Sequence, residues 1–500
     1  MKQKLQHWVL IFICGSMLWL GLGCQQQASS EVEQPRIRHV LERLSFGVTP
    51  EQMQQVEAIG IEAYIQSQLA PESIQEPPGL ENSLAQLDVI QADPIQLSKK
   101  YFLGQRRINK NSEISNETKN KLQKQNQKQN QKTRQQAAES RLLRAINSRR
   151  QLQEVMVDFW FNHFNVYSAK KSTNLWLADY EQKIRTHALG NFRDLLAVTA
   201  RHPAMLIYLD NELNTDPNSP VAKGKSKSLF KGLNENYARE LMELHTLGVD
   251  GGYTQADVVA LARILTGWSV DHFDKQENEN GFFFYENRHD PGDKIFLGQK
   301  ISRSGVEEGE QALDILAAHP ATAHFISYKL AQYFVADEPP SSLVDLLVEK
   351  FLESDGNIKV VLDTLIHSPE FNSSEYYAKK FKTPYQYIVS LVRTSGIENP
   401  DFKRMQGMIA QLGMPIYLCA TPNGYKNTQD AWLNPDGMLR RVGFATAIAN
   451  GSLNKEYPLD PEKLRHNLGD LSPKTQQVIA KNPPGLSNAL MLGSPEAMYR

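Results

Sequence analysis

Three cysteines in 500 residues leave the chain little covalent support. Cys14 falls in an N-terminal apolar run, Cys24 just beyond it, and Cys419 stands alone in the rest, so no internal disulfide can brace the fold. Its core must stand on packing, for which a hydrophobic fraction of 41% is low but ample. An excess of charge of one sign is missing too. A net charge of −1 gives no electrostatic ground for a nucleic-acid partner, and none is expected. Signatures of known mechanism are also lacking: no HExxH, no GxSxG, no Walker loop, no dinucleotide glycine fingerprint and no CxxC pair. No haem-attachment motif supports an axial role for His163, the weakest of the chemistries weighed.

What the N-terminus does have is the layout of an export signal. Lys2 and Lys4 precede an apolar run from Trp8 to Leu22. Gly21-Leu22-Gly23-Cys24, followed by QQQASSEVEQ, resembles a bacterial lipobox, although Gly21 stands where leucine is usual and Leu22 where a small residue is. Residues 1–23 are therefore expected to be a signal of lipoprotein type, Cys24 the lipidated residue, and 24–35 a polar tether. The chain would be exported and lipid-anchored to a bacterial membrane, on its periplasmic face or at the cell surface. An ordinary cleaved signal or an uncleaved anchor is the alternative.

From residue 36 onward the pattern is mainly α, one large multi-helix unit to residue 500. Residues 109–136 interrupt it with almost no apolar side chain and a repeated Lys-Gln-Asn-Gln, which predicts an insertion that is disordered or a solvated helix extension. Residues 212–231 read as a basic loop, with Lys223, Lys225, Lys227 and Lys231 available to an anion or simply solvated.

Two stretches carry unusual chemistry. In Gly232–Trp268, Asn234 is a plausible helix cap, Gly248 a stop, and Thr254 with Asp257 the start of a second helix. At 100° per residue Tyr237, Leu241 and Leu244 share an apolar arc with His245 in its middle and Glu240 at its edge. Arg239 and Glu243 fall on the far side as a surface pair. In Leu142–Val166 the helix is apolar nearly all round, yet it carries Asp158, Asn162 and His163. Buried acids and imidazoles are costly unless they find partners, so Asp158, His163, Glu240 and His245 are candidate catalytic residues or members of a satisfied core network. Asn236, Arg239, Arg263 and Trp268 are candidates to hold substrate.

A small β-hairpin is expected near 282–298, formed by Phe282–Tyr285 and Ile295–Leu297 around the turn RHDPGDK. His289 and Asp290 on that turn are a candidate metal site, although Pro291-Gly292 explains the turn without a ligand. Loops 422–425 and 431–435 expose Tyr425 and Trp432 to sugar stacking or, as is commoner, to packing.

The run NENYARELMELHTLGVDGGYTQADV…ARILTGW resembles the signature block of the bacterial domain-of-unknown-function family 1800. The blocks QLQEVMVDFWFNHFNVYS, HPAMLIYLDN, HDPGDKIFLG and HPATAHFISYKLAQYFVADEPP resemble further parts of it in the same order, over roughly residues 36–500. The resemblance brings no activity with it. It implies a partner, because genes of the family often neighbour those of the sulfatase- or phosphatase-like family 1501 of unknown function.

Two functions fit these features. One is an exported hydrolase of envelope or extracellular polymer, with Glu240 or Asp158 as general base or metal ligand and a divalent metal such as zinc, manganese or calcium. The other is a non-catalytic envelope scaffold working with the sulfatase- or phosphatase-like protein.

Overall fold

The computed structural model describes residues 33–110, 115–224, 232–272, 280–455 and 458–500, and helices carry most of them. The expected signal, Cys24, and Lys225, Lys227 and Lys231 lie outside the described residues. Among those described, no helix is long and apolar enough to cross a membrane.

Helix α1 (33–44) already includes Glu33, Gln34 and Pro35, so the end of the expected tether is helical. It buries Ile37, Val40, Leu41 and Leu44, an i, i+3, i+4, i+7 stripe. Helix α2 (Asn116–Asn147) settles the choice left open by the low-complexity segment. Its lysines and glutamines cannot fill a core, but they are good helix formers, and Ser115 caps the first turn by accepting from Thr118 N. The outer half is solvated; the inner half buries Ala137, Ala138, Leu142 and Ala145.

Gln151 closes α2 and opens α3 (Gln151–His163). Its amide donates to the carbonyls of Ala145 and Ser148, two of the groups a helix end leaves unpaired. Helix α3 is buried nearly all round, with Leu152, Val155, Met156, Trp160 and Phe161 at or near zero exposure. It packs on α2 and on α4 (Leu177–His187).

Helices α5 (Glu235–Glu243) and α6 (Gln255–Ile264) start where their caps predict: the Asn234 side chain accepts from Asn236 N, and Thr254 with Asp257 forms a reciprocal capping box. The first ends sooner than its apolar arc suggests. Leu244 N and His245 N both bond the Glu240 carbonyl, so His245 sits in the closing turn.

The β structure differs from the expected hairpin. Strand β1 (Trp268–Val270) pairs antiparallel with β2 (Phe282–Phe284), Ser269 opposite Phe283. Strand β3 (Ile295–Phe296) pairs instead with its immediate successor β4 (Gln299–Lys300). Leu297 and Gly298, with φ of 48° and 73°, make a two-residue turn of the kind that matches strand twist.

The remaining helices used below are α7 (Val306–Ala317), α8 (Pro320–Phe334), α9 (Pro384–Thr394), α10 (Pro435–Ala449) and α11 (Pro461–Leu468). One continuous apolar core runs from Ile37 to Met498. A small satellite, Leu80, Leu84, Leu87, Val89 and Leu143, lies apart from it against α2.

Candidate functional site

A cavity of about 310 Å³ opens between α3, α8, the end of α5 and residues 423–427, and Asp158, Asn162, His163, Glu243, Lys329 and Tyr333 are among its walls. Its roof is fixed by one exchange. Asn162 donates to the Tyr425 carbonyl at 2.7 Å and accepts from Tyr425 N at 2.8 Å. The approach is so close that a Cβ on Gly424, which has φ +68°, would lie 2.2 Å from the Asn162 carbonyl oxygen. Asn165 holds the preceding turn by donating to the carbonyls of Cys419 and Thr421.

His163 is the best-positioned side chain in the wall. Its Nε2 donates to the His245 carbonyl at 3.0 Å, which leaves Nδ1 to accept from Lys329 Nζ at 2.8 Å. Burial, and after it the neighbouring Lys329 charge, pushes the His163 pKa well below its ordinary 6.5. The imidazole is therefore a neutral acceptor. Burial also pushes Lys329 down to about 8, and no carboxylate acts to raise it. The result is an amine that is substantially unprotonated in mildly alkaline conditions, facing a hollow.

Asp158 lines the same cavity. Its Oδ1 accepts from Arg141 Nη2 at 2.6 Å and its Oδ2 from the Tyr333 hydroxyl at 3.4 Å; Gln386 in turn donates to that hydroxyl at 3.0 Å. Burial raises the Asp158 pKa by more than Arg141 lowers it.

The structure thus brings Asp158 and His163 into one wall, with His245 directly behind. The His163 and His245 ring centroids are 6.1 Å apart. His245 contributes its carbonyl to the pair; burial, then Lys329, holds its own ring down to about 3, and its Nε2 has no partner. Glu240 does not line the cavity. It is half-buried outside it, where burial and then Glu243 push its carboxyl up.

The residues expected to hold substrate lie elsewhere in the fold. Arg239 forms the surface ladder, 3.5 Å from both Glu235 and Glu243, and also donates to Gln255. Asn236 donates to the Leu209 carbonyl. Arg263 grips Asp290 through two bonds of 2.6 and 3.1 Å. Trp268 is fully buried beneath α7, which can pass only because Gly309 has no Cβ to strike the indole. On the expected metal turn, His289 lies 3.3 Å from Glu308 and its Nδ1 is 2.9 Å from the Thr266 carbonyl, while Asp290 is taken by Arg263. Among the described residues, no three His, Cys, Asp or Glu side chains converge as a metal site requires.

Lys329 was not among the sequence candidates. The signal for it is faint: a lysine in α8 between Phe325 and Tyr333, four residues from each, at the edge of the face that buries Ile326, Leu330 and Phe334.

Neither the curated proteins nor the solved structures yield a match for this chain. The family model described as "Protein of unknown function (DUF1800)" matches residues 39–499, a span that holds the helices, the cavity and the Lys329–His163 pair together. The chain belongs to that family.

Proposed function

We propose that the protein is an exported, lipid-anchored hydrolase of envelope or extracellular polymer, with Lys329 as the general base of its cavity. The single observation that carries this reading is the 2.8 Å contact between Lys329 and a neutral His163 in the wall of a hollow. A base must be unprotonated when it meets its water or hydroxyl. Burial without a compensating carboxylate supplies that state, and His163, tied to the His245 carbonyl, aims the amine. Export and lipidation of Cys24 rest on the lipobox alone; palmitate label is expected in wild type and not in Cys24→Ser, and label in both rejects lipidation at that residue.

The hydrolase is tested by incubating the full chain with peptidoglycan, lipopolysaccharide, capsular polysaccharide and chromogenic esters. Product release is expected to rise as pH passes about 8, because the lysine must lose its proton, and to fall at least 100-fold in a folded Lys329→Met variant. No release from any substrate, or a full rate in Lys329→Met, rejects it.

A scaffold role is the second reading, and a surface feature favours it. Leu433, Leu439 and Val442, just before and on α10, are 40%, 74% and 46% exposed. A sulfatase- or phosphatase-like protein of family 1501 is the proposed occupant; co-purification from detergent extracts that is lost in Leu439→Asp would support it.

A further inference from the structure

The outer half of α2 carries charge of one sign only. From Thr118 to Ala138 it holds Lys119, Lys121, Lys124, Lys128, Lys132 and Arg134, and not one aspartate or glutamate. At the pitch of an α-helix, Lys121, Lys124, Lys128 and Lys132 fall within an arc of about 80°. Burial shows which way that arc points. Leu122, Asn126 and Asn130 are half-buried and Thr133 is buried, which marks the side against the fold; the four lysines are exposed and lie on the opposite side.

Such a stripe works against its own helix. Lys124, Lys128 and Lys132 stand four residues apart, where like charges repel. Other exposed helices neutralise their cations along the helix: Arg239 with Glu235 and Glu243, Lys350 with Glu353, Arg440 with Asp436. On α2, Glu117 stands one turn before the stripe and Lys132 reaches Asp88 at 2.6 Å. Among the described residues Lys121, Lys124 and Lys128 are in no ion pair.

The company these lysines keep narrows the partner. Exposed Gln125, Gln129 and Gln131 flank them, with amides that both donate and accept hydrogen bonds. No aromatic or large apolar side chain stands on that face. It therefore has nothing to enter an acyl layer and no ring on which a nucleic-acid base could stack. Lys124, Lys128 and Lys132 follow one another about 6 Å apart along the axis, which suits a linear chain with acidic groups at regular intervals and hydroxyls between them.

We propose that this stripe docks an acidic polysaccharide, its anionic groups along Lys121, Lys124, Lys128 and Lys132 and its hydroxyls on the flanking glutamines. The inference narrows the class of polymer proposed above and rests on that reading for where such a chain is met, but the binding itself requires no hydrolysis.

The test is calorimetric titration of the full chain, and of its Lys329→Met variant so that turnover does not interfere. Alginate is the probe, dextran the neutral control, and double-stranded DNA and phosphatidylglycerol vesicles the competing polyanions. Alginate is expected to bind at least tenfold more tightly than any of these, and to weaken as salt rises from about 0.01 M to about 0.15 M. Changing all four lysines together, Lys121→Gln, Lys124→Gln, Lys128→Gln and Lys132→Gln, should weaken alginate binding at least tenfold while melting no lower than wild type, since repulsion is removed. The four Lys→Arg changes keep the charge and should keep the affinity. Alginate binding no tighter than dextran, unchanged affinity in the glutamine variant, or lost affinity in the arginine variant would overturn the stripe. A lower Tm of the glutamine variant would overturn it too, by showing the lysines to be held within the fold. DNA or vesicles bound as tightly as alginate would overturn the polysaccharide. Product release without alginate binding sinks the stripe and leaves Lys329 its role; alginate binding without product release from any substrate does the reverse.

Discussion

Helix α3 faces two buried polar networks that obey opposite rules. Toward α4, Glu154 receives both arms of Arg185 at 2.8 and 2.9 Å, and Glu181 receives Arg185 at 3.0 Å, Arg141 at 3.3 Å and the Tyr417 hydroxyl at 2.7 Å. The Arg141 guanidinium lies over the Phe161 and Tyr385 rings. Every charge there has an opposite charge in contact, and Arg141 and Glu181 stay ionised although burial opposes both. Toward α8, nine residues beyond Glu154 on the same helix, Lys329 meets only the neutral imidazole of His163. Matched ions at that depth serve the architecture, whereas an unmatched one is retained at a cost to stability, which is what a working group looks like. Asp158 stands at the border, paired to Arg141 on one side and open to the cavity on the other.

The contrast can be broken most forcefully at Arg185. Arg185→Ala strands Glu154 in the core, leaves Glu181 only Arg141 and the Tyr417 hydroxyl, and should cost about 3–5 kcal/mol in urea unfolding. A loss under 1 kcal/mol would mean that the network is not structural. Asp158→Asn leaves Arg141 its Glu181 partner but removes a charged hydrogen bond, for an expected loss of about 1.5–3 kcal/mol by the same measurement. Lys329→Met should have the opposite sign. The folded amine titrates near 8 against an ordinary 10.5, so at pH 7 it is charged in both states and the folded chain bears the whole desolvation penalty. The variant should therefore melt above wild type at pH 7, with the gain shrinking as pH climbs from 8 towards 10.5; a gain that grows with pH contradicts the assignment. Smallest is Glu240→Gln, half-buried and outside both networks, which should stay within about 0.5 kcal/mol of wild type.

The fold was readable where local chemistry and burial agree. Thr254 and Asp257, or the all-round apolar faces of α3, leave few alternatives, and Asp158 and His163 stood out because a polar group on such a helix must be answered by something. Lys329 was hidden for the opposite reason: a lysine on a helix is ordinary, because its stem can carry the charge to water, and only tertiary packing reveals that this one ends against the His163 ring. His245 was placed by extending an ideal helix past Glu243, where the chain already turns. The strand partner of Phe282–Phe284 was missed because Trp268 reads as the end of a helix; pairing across a dozen residues is a long-range matter that periodicity does not encode.

Tyr333 answers two different charges. Its hydroxyl reaches Asp158 on one side, and on the other its ring lies 4.6 Å beneath the Arg500 guanidinium. Tyr333→Phe, which keeps the ring and deletes the hydroxyl, is therefore the substitution that removes the Asp158 contact and spares the Arg500 stacking.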